Sequence, residues 1–223
     1  MPCASQEGAA LGLWVRDSIA GIGTLTFYDA ETGIFGALGH GVNDSETGEL
    51  LPLRSGAVMY SVVTDVTKGV SGTPGQLHGN FSFDEELGTV SENTDGGVFG
   101  VIMDGALTDG LTELETVSND EIRTGDAVIL ANIDGDEVEE FAINIVRVYP
   151  NAQDSLRSMV IEITDGRLLD ESGGIVQGMS GSPILQDGKL IGAVTHVLVN
   201  DPTRGYGISI EDMLAAAGFG SAG

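Results

Sequence analysis

Positive charge is scarce in this sequence. Nine Lys and Arg stand against 34 Asp and Glu, a formal net charge of −25 over 223 residues. Such a surface repels phosphate backbones and anionic lipid, which argues against nucleic acid and against membrane binding through basic patches. Simple solubility and attraction to basic partners both fit the acidity. There is a single cysteine, Cys3. One thiol excludes an internal disulfide framework and a cysteine-cluster metal site, and it is silent about redox compartment. No run of about 18 apolar residues occurs, so no membrane-spanning helix is expected. The first residues hold no basic stretch followed by an apolar one, so no signal peptide is expected. Neither a Gly-X-Y triplet nor a polar tract appears, which removes collagen and disorder.

Glycine, by contrast, is abundant. The 34 glycines make up about 15% of the chain, twice ordinary usage and too many for a helical bundle. Short β-branched and apolar runs separated by turn residues predict strands at 23–28, 34–38, 51–53, 57–63, 98–103, 127–133, 141–148, 159–164, 183–185 and 190–199. Asp134-Gly135-Asp136 predicts the tip of a hairpin rather than a calcium loop, because Val138 and Glu139 stand where such a loop needs a ligand and a glycine. Residues 69–79, with four glycines and Pro74, read as loop. One helix is expected after Ser209, with Asp212 completing a capping box and Gly218 ending it. A second, short one is expected near 118–121. With no fixed-period repeat and no proline-rich linker, the expectation is one all-β domain over 1–223: two β-barrel halves sharing a cleft, with a short C-terminal helix.

The segment Gly178-Met-Ser-Gly-Ser-Pro183 is the one with chemical content. Flanking glycines let the backbone turn tightly, so the amides of Gly178 and Ser180 can aim at one point as an oxyanion hole beside the Ser180 hydroxyl. Taken alone, a Gly-Ser turn between strands fits the same residues. A serine needs a base, and there are three histidines. His40 lies between glycines at the end of an apolar run, where it could reach a distant serine. His78 lies in the Gly/Pro-rich stretch and reads as solvated. His196 lies on a strand just after the serine, facing either the site or the core. The scattered spacing of the three offers no zinc signature, and no metal or cofactor is expected. For the third member, Asp165 stands at the end of a strand fifteen positions before Ser180, and Asp95, in Thr94-Asp-Gly-Gly-Val-Phe-Gly100, is the rival.

These residues resemble a known family. Gly178-Met-Ser-Gly-Ser-Pro183 is similar to the nucleophile motif of chymotrypsin-like serine peptidases. Gly12-Leu-Trp-Val-Arg-Asp-Ser18, Gly21-Ile-Gly-Thr-Leu-Thr-Phe27, Gly36-Ala-Leu-Gly-His40 and Ile163-Thr-Asp165 resemble the peptidase domain of stage IV sporulation protein B. Gly173-Gly-Ile-Val-Gln-Gly-Met-Ser-Gly-Ser-Pro-Ile184, Gly192-Ala-Val-Thr-His196 and Val199-Asn-Asp-Pro-Thr203 do so most closely.

The resemblance implies a trypsin-like double β-barrel and a serine endopeptidase. Ser180 is then the nucleophile, His40 the base and Asp165 the acid, with Gly178 and Ser180 forming the oxyanion hole. Substrate would lie along 173–177 and 195–200, touching Gly174, Gln177, Thr195 and His196. It also implies an extracytoplasmic enzyme, working between forespore and mother cell. Such an enzyme cleaves a membrane-anchored regulatory protein during sporulation signalling, with self-cleavage as a second event. A PDZ domain and a membrane segment are expected in the full-length protein. Two departures from trypsin-like enzymes stand out. Position 179 is Met, where those enzymes carry an acid that pairs with a new N-terminus. Asp165 lies far nearer the serine in sequence than the usual triad acid. The competing class is a catalytically weak or inactive peptidase-like module that only binds peptides.

Overall fold

The computed structural model describes residues 3–5, 8–10, 20–103, 111–149 and 157–218. Among the described residues the elements are strands, two short α-helices and the 3₁₀ turn Asn119–Glu121. The fold is all-β, as expected from composition. Strands β1 (Cys3–Ser5) and β2 (Gly8–Ala10) pair with each other. A five-stranded sheet follows, in the order β3-β4-β7-β6-β5, built from β3 (Leu25–Tyr28), β4 (Ile34–Ala37), β5 (Gly56–Thr67), β6 (Gln76–Thr94) and β7 (Gly97–Ile102). The second body is a closed barrel in the order β10-β13-β12-β11-β8-β9. Its strands are β8 (Gly125–Ala131), β9 (Glu139–Val148), β10 (Met159–Ile163), β11 (Pro183–Gln186), β12 (Lys189–Leu198) and β13 (Asp201–Ser209). Among the described residues no helix is long and apolar enough to cross a membrane.

The barrel closes because its strands alternate. In β10, Met159, Ile161 and Ile163 point inward while Val160 and Glu162 are half-exposed, the period of two of a pleated strand. Phe141, Ile143 and Ile145 of β9, Ile129 of β8 and Ile184 of β11 fill the same interior, each at most 1% exposed. Each such side chain contributes on the order of 2 kcal/mol by leaving water. A second cluster joins the two bodies: Phe99 of β7 packs with Ala193, Ile208 and Met213, and Phe27 of β3 leans on it.

Both helices are short and capped. Helix α1 (Gly166–Ser172) starts at Asp165, whose side chain accepts from the Arg167 amide, and ends at Gly173 with φ 74°. Helix α2 (Ile210–Ala216) starts at Ser209, whose hydroxyl accepts from the Asp212 amide at 3.1 Å, as its capping pattern predicted. The expected turn near 118 is the 3₁₀ helix Asn119–Glu121.

Several expectations fail, for physical reasons. Residues 51–53 form no strand; Leu51 instead gives its amide to Val42. The stretch expected to stay loop through 79 becomes strand from Gln76, because β5 supplies a partner. Strand β13 was not foreseen at all. Its Pro202, Gly205 and Gly207 carry little strand propensity. A Cβ on Gly205 would lie 2.5 Å from Ile175 Cδ1 and 2.6 Å from the His196 carbonyl, so close packing demands glycine there.

Candidate active site

The two bodies meet at the loop that carries Ser180. Gly178 has φ 103° and Gly181 φ 92°, values open only to glycine. A Cβ on Gly181 would lie 2.1 Å from the Thr24 carbonyl. The amides of this loop divide into two groups. Met179 N–H donates to Val176 O at 3.2 Å, Gly181 N–H to Val194 O at 2.8 Å and Ser182 N–H to Met179 O at 3.0 Å. The N–H groups of Gly178 and Ser180 find no acceptor among the described residues. Both residues are half-buried, so these two N–H groups, one residue apart, are left as donors that a bound group can use. The Ser180 hydroxyl donates to the Thr195 carbonyl at 2.9 Å.

His40 arrives from the other body. After β4 the chain turns sharply through Leu38 and Gly39, both left-handed at φ 67° and 68°. A Cβ on Gly39 would lie 3.0 Å from Thr195 Cγ2, so the turn packs directly on the residue that accepts the Ser180 hydroxyl. The His40 ring then lies on His196, with centroids 4.8 Å apart and planes tilted by 40°. Its Nδ1 is 2.8 Å from the Gly41 carbonyl. A carbonyl only accepts, so Nδ1 carries the proton and a neutral ring leaves Nε2 as the acceptor. Asn93 fixes the loop that follows, accepting from the Val42 amide and donating to the carbonyls of Val42 and Leu51. Thr24 joins the two arms: Leu38 N–H donates to Thr24 O at 3.2 Å, and Thr24 N–H donates to Ser180 O at 2.9 Å. Ser180 and His40, 140 positions apart in sequence, thus sit on adjoining segments around Thr195 and His196.

Asp165 is engaged elsewhere. Its Oδ1 accepts from the Arg167 amide at 2.9 Å and from Arg167 Nε at 3.2 Å. Its Oδ2 accepts from Arg167 Nη2 at 2.9 Å and from the Ala142 amide at 3.3 Å. No hydrogen bond joins it to His40 among the described residues. The Arg167 guanidinium, aided by the two amides and opposed by partial burial, holds the Asp165 carboxyl down to about 2 from an ordinary 3.8. A lowered carboxyl stabilises the fold above its unfolded value and loses that contribution as pH falls through about 2. Asp165→Ala is expected to cost about 2 kcal/mol at neutral pH, cap and charge together, allowing for the exposed side of Arg167. Urea unfolding at neutral and strongly acid pH checks this; the difference from the parent shrinks in acid. The rival Asp95 is exposed at the turn between β6 and β7 and makes no hydrogen bond or ion pair among the described residues.

The remaining predicted residues fall in different settings. Thr195 is buried, and its hydroxyl donates to Tyr206 O at 3.1 Å. His196 is exposed beside His40. Gln177 is exposed, and its backbone pairs with residues 75–77. Gly174 is buried at φ 134°, where a Cβ would lie 2.2 Å from the Pro202 carbonyl. His78 is on β6 rather than in a loop, with Nε2 2.7 Å from the Thr67 hydroxyl. Thr24 and Leu77, both in contact with the serine loop, were not singled out from sequence: an isolated Thr or Leu in a strand-forming stretch carries no chemical signal.

Similar structures include the Rv3671c protease of M. tuberculosis. Its inactive-form mutant aligns at 14% identity over 74% of this chain and 83% of its own, with a TM-score of 0.43. Its active form aligns at 15% identity over 73% and 81%, with a TM-score of 0.43. Among curated proteins no match is found. The family described as SpoIVB peptidase S55 matches residues 7–214, nearly the whole chain, and this protein therefore belongs to that family of serine peptidases.

Proposed function

We propose that Ser180 is the nucleophile of this peptidase and His40 its general base. The observation that carries the reading is the pair of idle amides, Gly178 and Ser180, in a loop whose Ser180 hydroxyl bonds Thr195 O, the residue just before the His196 ring that packs on His40. The Ser180 hydroxyl turns from Thr195 O to His40, attacks a peptide carbonyl and gives its proton to Nε2. The two amides hold the oxyanion, His40 returns the proton to the leaving amine, and water hydrolyses the acyl-enzyme. The Gly41 carbonyl keeps the ring in the tautomer a base needs. Asp165, the acid implied by resemblance, supports this site by capping α1, the helix that leads into the serine loop. Asp165→Asn keeps the cap and should leave the pH profile of cleavage unshifted; a shifted profile would return it to direct contact with His40.

The substrate we propose is a membrane-anchored regulatory protein cleaved during sporulation, with self-cleavage as a second event. The setting is the space between forespore and mother cell, in a full-length protein that adds a PDZ domain. The resemblance of residues 173–203 to the stage IV sporulation protein B peptidase domain motivates this reading. One observation favours a second reading, a module that binds peptides without cutting: the Ser180 hydroxyl bonds Thr195 O in this structure. A fluorophosphonate probe separates the two. Labelling that disappears in Ser180→Ala supports the peptidase site, and an unlabelled parent protein supports the module.

A further inference from the structure

The serine loop lacks the acid that pairs with a new N-terminus in trypsin-like enzymes; position 179 is a methionine, fully buried. Something else must hold the oxyanion hole open. Each of its two amides belongs to a peptide plane, and in a trans peptide the N–H points opposite to the carbonyl of the preceding residue. Fixing that carbonyl therefore fixes the N–H. For Ser180 the partner is the Met179 carbonyl, which accepts from Ser182 N–H at 3.0 Å, a bond made within the loop itself. For Gly178 the partner is the Gln177 carbonyl, which accepts from Leu77 N–H at 2.8 Å. That donor comes from the start of β6, one hundred positions earlier and in the other body of the protein.

The contact is part of a strap. Residues 69–77, which connect β5 to β6, run along the backbone that leads to the serine. Gly69 N–H donates to Ser172 O at 2.8 Å, and Gln177 N–H donates to Gly75 O at 2.9 Å. Gly72 N–H and the Ser71 hydroxyl hold the carbonyls of Val199 and Asn200, each at 2.8 Å. Gln76 and Gln177 form a parallel bridge, and the Leu77 side chain fills the space beside the Gly178 α-carbon, where a Cβ would lie 3.0 Å from Leu77 Cβ. Leu77 is itself 4% exposed and packs in the same cluster as Val176 and Met179.

We infer that Leu77, through its main-chain N–H, is the positioning residue that keeps the Gly178 amide turned into the oxyanion hole. This rests on the peptidase reading above. Without the bond, the peptide between Gln177 and Gly178 is free to rotate, because Gly178 accepts both signs of φ, and half of the hole is lost. Such a loss acts on the transition state, where the oxyanion forms, and leaves ground-state peptide binding alone.

The test is made on the full chain by placing leucic acid at position 77, which turns the amide into an ester and deletes only the N–H. We expect kcat to fall roughly 10- to 100-fold with KM within about two-fold of the parent. Affinity for a peptide boronic acid, whose tetrahedral oxygen occupies the hole, should fall by the same factor. Leu77→Pro, which also removes the N–H, should lose that much more activity than Leu77→Ala, which keeps it and shares the packing defect. An ester variant that cleaves as fast as the parent, or a proline variant no worse than alanine, overturns the assignment. A parent protein that fluorophosphonate does not label overturns the peptidase reading itself, so the two failures are told apart.

Discussion

Replacing Ser180 by alanine is expected to reduce peptide cleavage on the order of 10⁶-fold while leaving the fold intact. The loop holds two hydroxyls, Ser180 and Ser182, but Ser182 is fully buried, so the half-buried Ser180 is the one a substrate can reach. Its structural role is small: it makes one hydrogen bond, to Thr195 O, in a half-buried position. Losing that bond costs about 1 kcal/mol, too little to unfold a domain of this size. Because nucleophile and base act as a unit, the double variant Ser180→Ala with His40→Ala should be no slower than Ser180→Ala alone. Steady-state hydrolysis of a peptide, with unfolding curves for each variant, checks both statements. Cleavage by Ser180→Ala at the parent rate would place the nucleophile elsewhere.

Met179→Asp is expected to be the most damaging single change to stability near the site. It would restore the acid that trypsin-like enzymes carry before the serine, yet here the position is fully buried. Its core cluster includes Leu77, Val176 and Ile184, all apolar. A carboxylate brought into that apolar setting loses its hydration, and the penalty is about 4 kcal/mol or more. Met179→Leu, which keeps the volume, should cost less than about 1.5 kcal/mol. Urea midpoints for the two variants check this. Equal stability of Met179→Asp and the parent would mean that a cation reaches the loop, and packing would then not be what holds it. The contrast shows a different way of bracing the same chemistry: apolar burial under the loop and a strap across it, with no ion pair.

The strands of the barrel were legible in the sequence because alternation is written into them. Residues 127–131, 141–145 and 159–163 place an apolar side chain at every second position, and each lies in a barrel strand. The cap of α2 was legible because Ser209 and Asp212 act within one turn of chain. Helix α1 was missed although Asp165 and Gly173 bracket it as caps; at seven residues it is too short for a helical period to show. Strand β13 and most of β6 were missed for the opposite reason. Their glycines and charged residues carry no strand signal, and it is the neighbours β5, β10 and β12 that make them strands.

For the site, the sequence alone determined the chemistry on offer: a serine set between glycines and a histidine set between glycines, each free to be presented where a bulkier neighbour would block it. Tertiary structure decided the pairing and the support. It tied the segment that leads to position 40 to position 180 through Thr24, took the Asp165 carboxylate for Arg167 and a helix cap, and gave the aim of the Gly178 amide to a strand one hundred residues away. Which groups can react is a property of side chains and their immediate backbone. Where they point depends on hydrogen bonds between segments distant in sequence, and those exist only once the two bodies have folded against each other.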